Sequence, residues 1–496
     1  MPLLNWVNDT RARSAASEVP FHLLKSVSTY GDEKTAKENL LIQGDNLLAL
    51  KALLPFYRGK VKCIYIDPPY NTGSAFEHYD DNLEHSQWLS MMYPRLALLK
   101  EFLKEDGVIF VNLDEEQQAY CHVMLDEIFG RKNFIGDLIW QKRRGGGNDS
   151  TFFAIDHDYI LVYAKNKSIH KNKWRVSQSA AYQKRYKEID EKGNRYYWDT
   201  LSRDGLQNPI KVELTAPDGT KFVVNSQKSK ETIADGLVNG QIKFSKTKKG
   251  WSLHHRVYLS GVQVLRSILT TGTNKTASDE NIALFGDMAF DYPKPENLIR
   301  TILELVTKEG DLVLDSFLGS GTTAAVALKM KRRFIGVEIG EQANIHCIPR
   351  LQKVISGELG GISKDVKWIG GGGFCFYKLG PSVFDQFGSV NKEVDFETLA
   401  AYIWQKETNT VTFPTKSPYL GTYTDFSIFL LYNGVLGDKR PDAGNVLTPK
   451  ILRMLEKAFP VDGQKIIYGE AVIGLTESEL NNKSITFKQI PYDVTE

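Results

Sequence analysis

The feature that most constrains the fold is a glycine-rich loop that joins a short hydrophobic strand to a helix. The segment DSFLGSGTTA, residues 315–324, follows the apolar run DLVL. Glycines in such a loop let the backbone approach a ligand closely, and the helix N-terminus offers unpaired N–H groups. The arrangement predicts an α/β sheet with a ligand at the carboxyl end of the strand. A tight turn that binds nothing is the alternative.

An acidic residue ends the next predicted strand. Glu338 closes the run FIGVE and lies 23 positions after Asp315. At about this spacing a carboxylate reaches the ribose hydroxyls of a bound nucleotide. The two features together favour a nucleoside-type cofactor. Because G-x-G-x-x-A also fits a dinucleotide, the loop alone does not identify which one.

Short strands and helices alternate on both sides of a central segment. The runs 61–66, 108–111, 134–140 and 159–164 are strand candidates. The leucines of residues 47–54 predict a helix that stops at Pro55. A second predicted helix begins near Trp88, and we expect Pro94 to kink or divide it and Gly107 to close it. This alternation predicts a parallel sheet with helices on both faces.

The composition excludes several classes of protein. The chain has 496 residues, 42% of them hydrophobic and 25% charged, which argues against a disordered or fibrous protein. No apolar run approaches the roughly 18 residues of a membrane span, and the N-terminus has no secretory signal. The four cysteines form no C-x-x-C pair, which argues against a disulfide scaffold or a cysteine zinc site. We therefore expect a cytoplasmic protein.

The net charge of +2 conceals a basic segment within an acidic remainder. Residues 141–275 carry 25 Lys and Arg against 12 Asp and Glu, a local balance of +13. This balance predicts a polyanionic partner, and a solvated basic face is the simpler alternative. The candidates for phosphate or base contact are Lys142, Arg143, Arg144, Lys246, Lys248, Lys249 and Trp251.

A second motif, DPPY at residues 67–70, follows the predicted strand VKCIYI. Pro68 and Pro69 stiffen the loop and withdraw two N–H donors, so the loop presents carbonyl oxygens. Asp67 adds a carboxylate and Tyr70 a flat aromatic face. They predict a pocket that holds the hydrogens of an aromatic amino group and makes its delocalised nitrogen a better nucleophile. An ordinary turn with an exposed tyrosine is the alternative.

Several segments together resemble a known family. DPPYNTG, DSFLGSGTT, GDN at 44–46, YPKPEN at 292–297 and LIW at 138–140 resemble the motifs of S-adenosylmethionine-dependent DNA methyltransferases. The catalytic motif precedes the basic segment and the cofactor loop comes last, an order similar to that of β-class adenine-N6 methyltransferases. The segment HDYILVYAKN and the ending ITFKQIPYD resemble the modification subunits of type III restriction–modification systems.

The resemblance implies a circularly permuted, Rossmann-like α/β sheet with helices on both faces. It also implies an inserted target-recognition domain and a small C-terminal α+β module. The expected divisions are an N-terminal extension, a catalytic half, the target-recognition domain, a cofactor-binding half and the C-terminal domain, at residues 1–39, 40–142, 143–285, 286–372 and 373–496.

The resemblance also assigns roles to individual residues. Asp67 and the Pro68 carbonyl would accept the hydrogens of the target amino group, and Tyr70 would stack on the extruded base. The implied cofactor is S-adenosyl-L-methionine. Its implied contacts are Asp45 near the adenine, Glu338 at the ribose, Lys294, Asn297, Thr322 and Thr323 at the methionine end, and Phe317, Gly319 and Gly321 in the glycine cradle. Asn46 and Asp315 are further implied cofactor-binding residues.

The predicted function is transfer of a methyl group to the N6 amino group of adenine in double-stranded DNA after base flipping. The resemblance implies a homodimer and is compatible with a restriction subunit that supplies translocation and cutting. Alternatives are an N4-cytosine, RNA or protein-glutamine methyltransferase, and a DNA-recognition subunit that no longer methylates. We expect no metal site, because adjacent histidines such as His254 and His255 are more often solvated than ligating.

Overall fold

The computed structural model of the chain describes residues 3–70, 85–145, 150–170, 174–178, 180–202, 205–248, 250–286, 290–384, 389–408 and 416–494. They belong to two compact units. The larger unit comprises Met1–Lys173 and Arg266–Glu496, and the smaller unit is Trp174–Leu265.

The strands fall in both units. In chain order they are β1 His22–Gly31, β2 Leu40–Gln43, β3 Val61–Ile66, β4 Leu103–Leu113, β5 Phe134–Gln141, β6 His157–Ala164, β7 Val176–Ser177, β8 Glu188–Ile189, β9 Arg195–Thr200, β10 Ile210–Thr215, β11 Lys221–Ser226, β12 Ile242–Thr247, β13 Gly250–Tyr258, β14 Val262–Gln263, β15 Ile268–Leu269, β16 Leu312–Asp315, β17 Arg333–Glu338, β18 Gly373–Ser382, β19 Tyr419–Tyr423, β20 Phe426–Leu430, β21 Val446–Leu447, β22 Gln464–Gly469, β23 Ala471–Val472 and β24 Ile485–Gln489.

The α-helices are interspersed with these strands. In chain order they are α1 Asp9–Glu18, α2 Glu33–Ala36, α3 Asn46–Tyr57, α4 His85–Phe102, α5 Gln118–Leu125, α6 Ala180–Gln183, α7 Lys230–Val238, α8 Asn274–Phe285, α9 Glu296–Val306, α10 Thr322–Lys329, α11 Ile348–Ile355, α12 Phe396–Thr408, α13 Pro449–Ala458 and α14 Glu477–Asn482.

Ten strands of the larger unit form one mixed sheet in the order β1-β18-β2-β17-β16-β3-β4-β6-β5-β15. The strands from β18 to β4 in this order are mutually parallel. The prediction of a wholly parallel sheet is wrong towards both edges, since β1 is antiparallel to β18 and β6 to both of its neighbours. The described residues between β5 and β6 contain no helix, and without a helical crossover consecutive strands pair antiparallel.

Both faces of the central strands are covered, as predicted. Successive side chains of a strand point to opposite faces of its sheet. Cys63 and Ile64 of β3 are both fully buried, and so are Val313 and Leu314 of β16. One face packs on α3 and α4, whose buried residues share a single hydrophobic cluster with Ile64 and Leu314.

Two predicted helix ends, at Pro55 and Gly107, differ from the structure, and the second helix is not divided at Pro94. Pro55 lies inside α3 and Pro94 inside α4, which is continuous from His85 to Phe102. Both prolines are buried on the core side of their helices, so packing outweighs the lost backbone hydrogen bond. Gly107 does not close a helix but lies within β4, where its backbone approaches carbonyl oxygens of Lys104 and Val61 too closely for a Cβ.

Four strands of the main sheet lie outside the residue ranges expected for the catalytic and cofactor-binding halves. β1 comes from the expected N-terminal extension, β6 and β15 from the expected insertion 143–285, and β18 from the expected C-terminal domain. The compact smaller unit, Trp174–Leu265, is therefore narrower than the predicted insertion. Strands at the edges of a sheet can come from any part of a chain, and composition does not reveal them.

The smaller unit has its own antiparallel sheet, β12-β13-β9-β8, a hairpin of β10 and β11, and the helix α7. Its small core is centred on Ile233 and Leu253. Residues 174–265 contain 16 Lys and Arg against 9 Asp and Glu. The unit is thus basic, and several of its cations lie over aromatic rings, including Arg185 over Tyr197 and Lys243 over Trp198.

The last part of the larger unit contains a second sheet, β19-β20-β22-β24. β19 is antiparallel to β20, whereas β20, β22 and β24 are parallel and are connected through α13 and α14. Two hydrophobic clusters, one around Ile428 and Tyr468 and one around Phe429 and Ile467, lie on its two faces. The C-terminal region is therefore a mixed α and β module, as predicted.

A buried group of charged side chains joins α9, α10 and α11. The Glu296 carboxylate accepts hydrogen bonds from Lys329 at 2.7 and 2.9 Å and from Arg350 at 3.1 Å. All three side chains are 2% exposed or less. Burial alone would raise the pKa of Glu296, but Arg350 and Lys329 hold it below its usual value. Arg350 also donates to the Thr322 hydroxyl at 2.8 Å, so the group supports the start of α10.

We expect Glu296→Gln to lower the free energy of unfolding by about 3–5 kcal/mol, because it leaves two cations buried with less compensating charge. Glu393→Gln is the matched control, since Glu393 pairs with Lys25 on the surface and such pairs contribute at most about 1 kcal/mol. Chemical unfolding of both variants measures the difference. If both variants lost the same free energy of unfolding, the buried Glu296 group would not stabilise the fold as assigned.

Candidate active site

A cavity of about 500 Å³ lies in the larger unit, at the carboxyl ends of the parallel strands β3, β4 and β16. Open α/β sheets bind their ligands at this edge. Twelve of the predicted site residues line the cavity together: Asp67, Pro68, Pro69, Tyr70, Lys142, Arg143, Lys294, Asp315, Phe317, Gly319, Thr322 and Thr323.

The DPPY loop forms one wall of the cavity and is anchored from behind. The indole Nε1 of Trp88 on α4 donates to the Pro69 carbonyl at 2.7 Å. Pro68 is buried and Tyr70 is half-buried. The loop is therefore held by the helix that follows it, and the alternative of an exposed tyrosine on an ordinary turn is wrong.

The Asp67 carboxylate is the centre of a hydrogen-bond network. The Tyr70 hydroxyl donates to its Oδ1 at 2.5 Å, and the Lys294 ammonium donates to its Oδ2 at 2.5 Å. The Lys294 ammonium also donates to the Tyr70 hydroxyl at 2.9 Å, and the Asn112 amide donates to Asp67 at 3.2 Å. Lys294, predicted at the methionine end of a cofactor, thus lies against the DPPY motif.

A second carboxylate, Asp158, lies beside Tyr70 and was missed by the sequence analysis. Asp158 is 2% exposed. The Lys142 ammonium donates to it at 2.7 Å, and the Asn112 amide and Tyr70 hydroxyl lie at 3.4 Å. Lys142 therefore has a buried ionic partner and is not a free phosphate contact. Only the position of Asp158 in a segment that resembles a known family pointed to it.

Burial and negative charge shift several pKa values around the cavity. Burial, with Asp158 and Asp67 nearby, raises the pKa of Tyr70 well above its usual value, so its hydroxyl stays protonated. Burial, with Glu115 and Glu116, raises the pKa of Asp114 to about 7. Burial also raises the pKa of Asp315 to about 7, although Thr323 and the Phe317 N–H hydrogen-bond to it. The carboxyl groups of Asp114 and Asp315 in the cavity lining are therefore harder to ionise than ordinary carboxyl groups.

The glycine loop forms the opposite wall. Gly319 and Gly321 have φ of 55° and 82°, the left-handed region that glycine adopts without strain. A Cβ on Gly321 would also lie 3.3 Å from the Cα of Cys347. The Gly319 N–H donates to the Glu338 carboxylate at 2.7 Å, which joins the loop to the end of β17.

Five predicted cofactor residues lie outside the cavity lining: Asp45, Asn46, Asn297, Gly321 and Glu338. Asp45 caps α3 through the Leu47 and Leu48 N–H groups and pairs with Arg95 at 2.7 Å. The Asn46 amide donates to the Ser316 carbonyl at 2.7 Å, so the GDN segment supports the glycine loop. Asn297 lies in the first turn of α9.

The predicted DNA contacts have different surroundings. Arg143 is exposed at the cavity, whereas Arg144 donates to the Thr270 carbonyl. In the smaller unit, Lys246 and Trp251 both contact the Asp218 carboxylate, at 3.3 and 2.9 Å. Lys248 is exposed, and Lys249 lies outside the described residues.

The described part of the chain contains no group of three or more His, Cys, Asp or Glu side chains arranged to hold a metal ion. Within the same ranges, no helix has the length and hydropathy that a membrane crossing requires.

Comparison with known proteins assigns the family. Residues 61–344, more than half of the chain, match the family model described as DNA methylase. The chain belongs to the DNA methylase family. The match extends from β3, which precedes the DPPY motif, past Glu338 at the end of β17, so this DNA methylase contains both cavity walls within its family region.

Individual relatives agree with the family. The "Probable type III restriction-modification enzyme HindVI Mod subunit" of Haemophilus influenzae is 33% identical over an alignment of 416 residues, and the match covers 70% of this chain and 54% of that protein. The type III restriction-modification enzyme EcoPI Mod subunit of Escherichia phage P1 is 31% identical over an alignment of 414 residues, and the match covers 69% of this chain and 64% of that protein. This DNA methylase thus spans about half to two thirds of the length of these relatives.

A solved structure of the PvuII DNA methyltransferase, described as cytosine-N4-specific, also matches this DNA methylase. The identity is 15%, and the match covers 67% of this chain and 91% of the other, with a TM-score of 0.37.

We expect Asp315→Asn to stabilise the free protein more at pH 8.5 than at pH 5.5. The pKa of Asp315 is raised to about 7 in the folded state, so the wild type loses stability as rising pH ionises this buried group. The difference between the two pH values should be about 2 kcal/mol. Thermal unfolding of wild type and variant at both pH values measures it. A stability difference independent of pH would contradict the raised pKa.

Proposed function

We propose that the chain is a site-specific DNA methyltransferase that transfers a methyl group from S-adenosylmethionine to the N6 amino group of adenine in double-stranded DNA. One observation carries the proposal: the Asp67 loop and the glycine loop, from distant parts of the sequence, line the same cavity. Amino methylation requires two adjacent subsites. The Asp67 loop, with its carboxylate and prolines, forms a notch that fits the amino group, and the glycine loop fits a nucleoside-type cofactor. Membership of the DNA methylase family supports this assignment.

The acceptor subsite is formed by this chain's own residues. We assign the Asp67 carboxylate and the Pro68 carbonyl as acceptors of the two amino hydrogens, and the Tyr70 ring as the stacking surface for the base. Holding both hydrogens draws the nitrogen towards a tetrahedral geometry and frees its lone pair for attack. The Asp67 carboxylate then accepts the proton that the methylated nitrogen loses. Lys294 and Tyr70, which hold this carboxylate in the free protein, fix its orientation.

The donor subsite fits S-adenosylmethionine. When bound, this cofactor supplies an electrophilic methyl group on a positively charged sulfur. Phe317, Gly319, Thr322 and Thr323 line the cavity on this side, and Glu338 binds the Gly319 N–H and so shapes the loop. Gly319 lines the cavity in a left-handed conformation that glycine adopts without strain.

The DNA substrate requires a further step, because an amino group within a duplex is paired and stacked. The base must be extruded, at a cost of a few kcal/mol. We assign DNA contact to the basic smaller unit and to Arg143 at the cavity. The cations that lie over aromatic rings in the smaller unit offer both charge for phosphates and flat surfaces for bases.

The relatives suggest the biological setting. Two of the similar proteins are named as Mod subunits of type III restriction-modification enzymes. We propose that this chain is likewise the modification and recognition subunit of a restriction–modification system, with a second copy and a restriction subunit as partners. An N4-cytosine methyltransferase is the alternative that shares the same notch, and sequencing of the modified bases distinguishes the two.

We expect Asp67→Ala to lower the rate of DNA methylation by about 10²–10⁴-fold, while the protein still binds S-adenosylmethionine. Asp365→Ala, at an exposed carboxylate paired with Arg300, is the matched control. Modified-base sequencing of DNA from cells that express each variant, with calorimetry of cofactor binding, measures both effects. Wild-type methylation by Asp67→Ala would remove Asp67 from the mechanism.

We expect DNA affinity to fall steeply with salt, and Lys248→Ala to reduce the slope of log affinity against log salt by about one. Lys25→Ala, at an exposed lysine of the larger unit, should leave that slope unchanged. Fluorescence anisotropy with labelled duplexes at several salt concentrations gives the slopes. A salt-independent affinity would refute phosphate binding by the basic unit.

A further inference from the structure

One buried hydroxyl in the cavity has no partner. Tyr65 lies on β3, two residues before Asp67, and is 1% exposed. Its ring lines the cavity, and its hydroxyl has no hydrogen-bond partner among the described residues. A buried polar group without a partner destabilises a protein by about 1–3 kcal/mol, so most such groups are satisfied. Because Tyr65 lines the cavity, a ligand bound there is a candidate for the missing partner.

The neighbouring carboxylates indicate the charge of that partner. The Asp67 carboxylate already has Lys294 as its cation, and Asp158 has Lys142. Asp315 is buried in the same lining and, among the described residues, has only the Phe317 N–H and the Thr323 side chain as partners, with no cation. A positively charged group would complete this part of the cavity.

The sheet register brings the two groups together. Cys63 and Ile64 of β3 are paired with Val313 and Leu314 of β16, so Tyr65 and Asp315 occupy the next position of the same register. Burial and the charges of Asp67, Asp315 and Asp158 raise the pKa of Tyr65 well above its usual value. The phenol therefore stays neutral, and its oxygen is free to accept a hydrogen bond.

We infer that the Tyr65 hydroxyl oxygen, together with the Asp315 carboxylate, accepts hydrogen bonds from the ammonium group of the bound cofactor's methionine end. This inference rests on the proposed function, since it requires the cavity to bind S-adenosylmethionine. An ammonium group has three N–H donors, and the Tyr65 hydroxyl oxygen and the Asp315 carboxylate oxygens offer acceptors for them. Tyr65 is thus a cofactor contact that holds the donor molecule by its amino-acid end.

The test is the binding of three nucleosides to the Tyr65→Phe variant by calorimetry. S-adenosylmethionine and S-adenosylhomocysteine both have the ammonium group, whereas 5′-methylthioadenosine lacks the amino-acid end. We expect Tyr65→Phe to weaken binding of the first two by about 10-fold each, the effect of losing one hydrogen bond to a charged group. Binding of 5′-methylthioadenosine should stay within about 2-fold of wild type.

Tyr163→Phe is the matched control. Tyr163 is also buried, but its hydroxyl donates to Asp126 at 2.5 Å and it is absent from the cavity lining. Tyr163→Phe should lower the thermal stability and leave all three affinities unchanged. Tyr65→Phe should keep or raise the thermal stability, because it removes a hydroxyl that is unsatisfied in the free protein.

The possible outcomes separate the inference from the proposed function. Unchanged affinities in Tyr65→Phe, or a loss for S-adenosylmethionine alone, would overturn the inference, the second because it would place the contact at the sulfonium. A loss that extends equally to 5′-methylthioadenosine would overturn it too, since the amino-acid end would not be involved. If the wild-type protein bound neither S-adenosylmethionine nor S-adenosylhomocysteine, the proposed function and the inference would both fail.

Discussion

The contact between Asp67 and Lys294 joins two segments that are 227 residues apart in the sequence. One segment follows β3 and the other precedes α9, so this ion pair connects a strand early in the chain with a helix much later in it. The Tyr70 hydroxyl and the Asn112 amide complete the same network. The position of the carboxylate, and hence the shape of the whole acceptor notch, depends on residues from three separate stretches of chain.

The cavity walls differ in how they are supported. The DPPY wall is held by side chains that converge on a carboxylate, with Trp88 behind it. The glycine wall is held through the backbone, by Glu338 at Gly319 and by Asn46 at Ser316. Beneath it, Arg350 connects Thr322 to the buried Glu296. A wall held in this way is shaped before a ligand arrives, which reduces the ordering cost of binding.

The two motif loops could be predicted from the sequence because their chemistry is local. In DPPY and DSFLGSGTT, the glycines, prolines and acidic residues that shape the cavity lie close together in the sequence. Each motif also follows a recognisable strand. Tyr65, Asn112 and Asp158 could not be predicted in this way. Each lies among apolar residues of its strand, and only the pairing of β3 with β4 and β16, and of β4 with β6, brings Tyr65 and Asp158 to the cavity and Asn112 to the hydrogen-bond network at Asp67.

The fold, like the site, could be predicted only in part from the sequence. Hydrophobic runs identified most of the central strands, but the antiparallel edges and the true limits of the insertion depend on pairing between distant segments. Pro55 predicted a helix end and Pro94 a kink or division, but α3 and α4 both continue through their prolines, because burial of the helices outweighs the local cost of a proline.

The interleaved strand order has a consequence for synthesis of the chain. β3 pairs with β16, yet some 250 residues separate them in sequence. At about 5–20 residues per second, β3 would wait about 12 to 50 s on the ribosome before its neighbour is made. During that interval one hydrophobic edge of the growing sheet is open to other nascent chains, so this fold places a demand on chaperones that an unpermuted sheet would avoid.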